Sequence, residues 1–147
     1  MQFPIDYQHY LSHFGTGWLG DFFLIWNPFS TADGKNWLQE KEIALKAFKG
    51  IQNEFLDFFS QWVFYPAPGG LLPCGTTVNG DTLFWVTTGQ PDQWTISAGR
   101  DEPLDFYNGG LCEFLYHKLH DPPTANLPDL RESPKNFCSR GSWERFK

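Results

Sequence analysis

The sequence predicts an α+β fold: one domain with a mainly antiparallel β-sheet packed against an opening helix, a long central helix and a short closing helix. Three observations carry that expectation. Apolar residues recur at helical spacing in three separate stretches. Short β-prone runs, divided by turn residues, fill residues 71–98. The order helix, strand, long helix, β-meander, helix sets the helices apart from the sheet.

Each element has a local reason. Pro4 opens the first helix and Asp6 lies near its positive end. Tyr7, Tyr10, Leu11 and Phe14 recur three or four apart, and Gly15 supplies the stop. Residues 22–26 (Phe-Phe-Leu-Ile-Trp) form a short apolar run between Gly20-Asp21 and Asn27-Pro28, which reads as a buried strand. From Trp37 to about Phe59 runs the longest helical pattern, with Leu38, Leu45, Phe48, Ile51, Phe55 and Phe59 as its apolar stripe. Gly50 marks an expected bend in it. Leu71-Leu72, Thr82 to Thr87 and Trp94 to Ala98 read as strands separated by Asn79-Gly80-Asp81 and by residues 88–92. Leu111, Phe114, Leu115 and Leu119 then share one face of the closing helix. From Asp121 onward Pro122, Pro123, Pro128 and Pro134 replace the aliphatics, so residues 122–147 read as a tail, wrapped on the surface or partly disordered.

Composition narrows the function classes. The 147 residues carry a net charge of -6, with 41% hydrophobic and 18% aromatic residues. A chain of this size buries roughly 70% of its unfolded surface, and each aromatic adds about 150–250 Å². An acidic pI near 5.0 argues against direct nucleic-acid binding. The uncharged stretch 58–80 holds Pro66, Pro68, Pro73, Gly69, Gly70, Gly75 and Gly80, which excludes a membrane-spanning helix. Residues 1–6 lack a basic and apolar leader, so no signal peptide is expected. Cys74, Cys112 and Cys138 form no CxxC, and neither a disulfide framework nor a zinc site is expected. A cytoplasmic location fits these features.

Four motifs invite chemistry. Gly15-Thr-Gly17-Trp-Leu-Gly20 matches G-x-G-x-x-G, with Glu40 twenty residues on. A dinucleotide site needs a strand before the glycines and a helix after them; here the order is reversed, so a plain helix-to-strand turn is expected. His9 with His13, and His117 with His120, sit on shared helical faces, but no Glu accompanies them as in HExxH, and no metal or cofactor is expected. No Cys has a neighbouring base to lower its pKa; Cys112 reads as a small core residue and Cys74 as a turn residue. The carboxylates are unevenly spread. Residues 50–117 hold eight acids and only Arg100 as a base, while the rest of the chain is near neutral. That segment is a solvated acidic surface, a field that steers a basic partner, or a sugar cleft with two carboxylates and Trp85 and Trp94 as platforms.

The densest string is Pro66-Ala67-Pro68-Gly69-Gly70-Leu71-Leu72-Pro73-Cys74-Gly75, followed by Asn79-Gly80-Asp81 and Leu83-Phe84-Trp85. It resembles the core motif of the SUKH superfamily, the Smi/Knr-type domains, which reads P-x-P-G-G-L-L-P-W-G and then N-G-D-x-x-x-W. Pro4 to Tyr7, Trp26 to Phe29 and Leu111 to Leu119 resemble that family's opening helix, first strand exit and closing helix. The likeness covers residues 3–120, which places a SUKH-like domain at 1–121. Cys74 stands where Trp is common and Ala67 where Glu is common. Physically the motif reads as architecture: Gly69-Gly70 for positive φ and close approach, Asn79-Gly80-Asp81 for a turn, and Leu83 and Trp85 on one strand face.

The resemblance implies a non-enzymatic binder, since the family includes bacterial immunity proteins of polymorphic or contact-dependent toxin systems and a fungal regulator of cell-wall synthesis. The expected partner is a toxin protein, such as a basic nuclease domain, bound in equal proportion. Asp81, Asp92, Asp101, Glu102 and Asp105 are the expected steering charges, and Trp94, Phe106 and Tyr107 the aromatic anchors. Two alternatives stay open: a small carbohydrate hydrolase, and a regulatory scaffold contacting a partner through Arg131, Lys135, Arg140, Arg145 and Lys147.

Overall fold

The computed structural model describes residues 2–100 and 104–120. Helix α1 (Ile5–Phe14) follows Pro4 and ends at Gly15, whose φ of 64° suits glycine and whose N–H bonds Leu11 O. Its inner face carries Tyr7 and Tyr10, both buried, and the Tyr7 hydroxyl donates to Trp26 O. Six strands then form one sheet: β1 (Trp18–Leu19), β2 (Phe23–Ile25), β3 (Leu71–Thr77), β4 (Thr82–Val86), β5 (Thr95–Gly99) and β6 (Asp105–Tyr107). Spatial order equals chain order, and every neighbouring pair is antiparallel. The α+β class and the meander are as the sequence predicts. Strand β1 lies inside the Gly15–Gly20 motif, after a helix, so those glycines form a helix-to-strand turn.

The long helix is shorter than its pattern. Helix α2 (Trp37–Glu54) starts at Asn36, whose side chain accepts the Gln39 N–H, and stops at Phe55 (φ -127°, ψ 52°). The one-turn helix α3 (Leu56–Phe59) follows. Gln52 fixes this break by donating to both Phe59 O and Trp62 O at 2.8 Å. Gly50, the expected bend, sits inside regular helix. The expected stripe also loses two members, since Leu38 is 54% and Phe55 49% exposed. Trp37 takes the first-turn anchor instead, donating from Nε1 to Pro73 O at 2.9 Å, and Phe55 lies where the chain turns away. Helix α4 (Leu111–His120) closes the described fold.

Strand period two sorts the core into layers. Leu83 and Trp85 pack with the aromatics of α1 and the apolar face of α4. Phe84, between them, faces the other way onto Leu45 and Phe48 of α2 and meets the Phe48 ring edge-on at 4.9 Å. The sheet is therefore covered on one face by α1 and α4 and on the other by α2. Leu83, Phe84 and Trp85 are fully buried, so this strand anchors both layers.

The glycine-rich motif is what lets the sheet cross from α3 into β3. Gly69 has φ 73°, and a Cβ on Gly70 would lie 2.6 Å from Phe64 O. Gly75 is as tight, with Leu24 O 2.6 Å from a Cβ there. Cys74 is not in a turn as expected; it lies in β3, where the register shifts between Pro73 and Gly75, and it is fully buried. Cys112 is buried as expected, but it is disulfide-bonded, which corrects the expectation of no disulfide at this position. Among the described residues, no helix is long and apolar enough to cross a membrane. The tail 122–147, with its five named basic residues, lies outside the described residues.

Candidate functional site

One end of the meander opens into a cleft of about 450 Å³. Its floor is apolar, from Phe23, Leu83, Ala98 and Phe114, and its rim carries Asp81, Asp105, Phe106, Tyr107 and Lys118. Register explains this convergence. Leu83 pairs with Ala98, and Ala98 with Asp105, so three strands send these side chains to the α4 face. Tyr107 reaches the same face and meets Phe114 edge-on at 5.5 Å. Phe106 points the other way at the sheet's edge, is 69% exposed, and also lines a second concavity of about 240 Å³ with Trp62, Leu71 and Val86.

Asp81 is placed by the Asn79-Gly80-Asp81 turn, in which Gly80 adopts φ 87°. Its carboxylate pairs with Arg100 Nε at 3.0 Å, and Arg100 also donates to Asn79 O at 3.0 Å. The pair ties the β3–β4 turn to the end of β5 and neutralises Asp81, leaving Asp105 as the exposed carboxylate at the rim. Ser97, buried beneath β6, holds that strand by donating to Asp105 O at 2.9 Å.

The other named residues lie elsewhere. Asp92, in the 3-10 turn Pro91–Gln93, accepts the N–H of Ile5 at 2.8 Å and so caps α1. Trp94 is 8% exposed, packs against Trp85 and donates from Nε1 to Gly89 O. It belongs to the core. Asp101 and Glu102 lie outside the described residues. Of the expected steering charges and anchors, then, Asp81, Asp105, Phe106 and Tyr107 come together. Sequence reading missed Phe22, Thr77, Phe114 and Lys118 as cleft residues. The spacing of Phe114 and Lys118, four apart on one helix face, carried a signal for that pair.

The buried titratable groups sit away from the cleft. Asp6 receives the N–H of Cys112 at 3.1 Å, yet burial, with the nearby Asp92 charge adding, holds its carboxyl above the usual carboxylate range. Burial likewise raises the Tyr7 and Tyr10 hydroxyls. The Cys74 thiol is pushed up by burial and then by Asp6, so it stays protonated near neutral pH. Among the described residues, no group of three His, Cys, Asp or Glu side chains is disposed to hold a metal ion. Trp85 is fully buried and Trp94 nearly so, which removes both from any surface sugar platform. No family model, curated protein or solved structure matches the chain.

Proposed function

We propose that the protein is a non-enzymatic binding domain of the immunity type, which neutralises a toxin protein by stoichiometric association at the β4–β6 cleft. The observation that carries this reading is Phe106: a large apolar side chain, 69% exposed, on the edge strand of the described sheet between two concavities. Exposed aromatics beside pockets are what binding hot spots are made of. Asp105 next to it is the exposed carboxylate of the rim, a contact point for a basic side chain of a partner such as a nuclease domain built to grip phosphate. The SUKH-like motif adds the immunity class to this reading. A cytoplasmic location belongs to the same proposal.

Coexpression with the product of the adjacent gene tests it. A salt-sensitive complex is expected, and Phe106→Ala should weaken it about tenfold or more while leaving the fold intact. Separate elution of the two proteins at low salt overturns the proposal.

A further inference from the structure

We propose that the protein pairs weakly with a second copy of itself through a groove beside α1, each copy inserting Phe29 into the groove of the other. The groove, about 400 Å³, runs between α1 and the loop that follows β2, and Phe3, Tyr7 and Leu11 supply its apolar wall. Phe29 borders it and is 88% exposed, more than any other large apolar side chain among the described residues. Knob and groove thus belong to one patch. That is the condition for an isologous contact, in which Phe29 of one copy meets Leu11 of the second and the reverse holds as well.

The loop is built to present that ring. Asn27 Oδ1 accepts the Phe29 N–H at 2.9 Å, and Asn36 Nδ2 donates to Ser30 O at 2.8 Å and Pro28 O at 3.3 Å. The backbone on both sides of Phe29 is tied down, so little chain entropy remains to be lost on contact. The polar groups of the wall are turned onto the chain itself. Gln8 Nε2 donates to Phe3 O, Ser12 Oγ to Gln8 O, Asn27 Nδ2 to Thr16 Oγ1, and the Tyr7 hydroxyl to Trp26 O. Engaged in this way, they do not converge on a polar ligand, and an apolar ring is the guest that suits the groove.

Charge selects a second copy as the source of that ring. A chain of net charge -6 repels its own copies wherever acidic faces meet. None of the residues lining the groove is charged, so two copies approach here without opposing like charges. The groove shares no lining residue with the β4–β6 cleft, so pairing leaves the lining of that cleft untouched. Two rings contribute roughly 300–500 Å², with about as much again from the grooves they cover, which is below the 1,200–2,000 Å² or so of a stable interface. The dimer is accordingly weak, with a Kd of about 0.1–1 mM.

The test uses the purified full chain alone, so its failure leaves the toxin reading standing. Sedimentation equilibrium from about 0.02 to 2 mM should show the mass rising from 17.0 kDa toward twice that value. Association should tighten in about 1 M salt, which screens the net like charge and does not touch an apolar contact. Phe29→Ser should weaken it about tenfold or more, whereas Ile43→Ser, which removes an equally exposed kind of side chain from α2, should leave it unchanged. Ser12→Glu places a carboxylate in each groove and should weaken pairing at low salt, with part of the loss recovered at high salt. A constant mass of 17.0 kDa, or a dimer that survives Phe29→Ser, overturns the proposal.

Discussion

The carboxylate of Asp6, on α1, accepts the backbone N–H of Cys112 at the start of α4 from 3.1 Å. Asp92 does the same for α1 itself, taking the Ile5 N–H at 2.8 Å. The two helices on one face of the sheet are thus capped in series by side chains from other elements. Gly110 makes the Asp6–Cys112 contact possible, since a Cβ there would lie 2.8 Å from the Asp6 carboxylate.

Asp6→Ala leaves an orphan donor at the α4 terminus and should cost about 0.5–2 kcal/mol of stability. Asp6→Asn keeps an acceptor and should cost less. The pH dependence separates them. Burial raises the Asp6 pKa, so the native state binds this proton more tightly than the unfolded chain does. Its contribution is most favourable below the ordinary carboxylate value and is lost as pH rises through the raised native value. Urea unfolding from pH 3 upward should therefore show Asp6→Asn gaining on the wild type as pH rises; a constant difference would falsify the assignment.

Gly70→Ala and Gly75→Ala should each destabilise by about 2 kcal/mol or more, because the new methyl meets backbone that cannot move aside. Gly50→Ala is the opposite case. Nothing lies within 4 Å of a Cβ at that helical position, so the variant should gain about 0.5–1 kcal/mol. Thermal unfolding of the three variants checks both signs at once.

Trp94 and Phe106 should part company on mutation. Trp94→Ala opens the core and should cost about 3–5 kcal/mol, with any loss of partner binding following from unfolding. Phe106→Ala should shift stability by less than about 0.5 kcal/mol and show its effect in binding. Equal losses of melting temperature in the two variants would place Phe106 in the core.

Arg100→Met should cost less than about 1 kcal/mol, because its pair with Asp81 faces solvent. The deficit relative to wild type should shrink in 1 M salt, where such pairs are screened over about 3 Å. A deficit that survives high salt assigns the stabilisation to the Asn79 O bond instead.

Periodicity made α1, β2, β4, β5 and α4 legible in the sequence, because each turns one face or both toward a single core. It failed at Phe55 because Gln52, a polar residue, fixes the break by long contacts that no local pattern records. Strand β6 escaped notice for a related reason. With Asp105 and Phe106 exposed, it lacks the alternation of a half-buried strand, although both residues stood out as binding candidates. Trp94 was misjudged because a tryptophan in an acidic segment looks alike whether it faces water or the core. Its seat just before β5, beside Trp85 and with Nε1 bonded to Gly89 O, is what places it in the core. Asp81 likewise looked like a free charge until Arg100, nineteen residues away, closed on it.

The uninterrupted chain order of the sheet has a consequence for how the protein is made. The β3–β4, β4–β5 and β5–β6 pairs can each zip as the second strand leaves the ribosome, whereas β2 must wait for β3 until α2 and α3 have emerged. The α1–α4 seam is different, joining positions 106 residues apart. The first helix emerges with its carboxylate aimed at an amide not yet synthesised, and it can settle only once the last helix arrives. Emergence of residues 110–112 from the ribosome is therefore the moment at which this domain becomes able to lock.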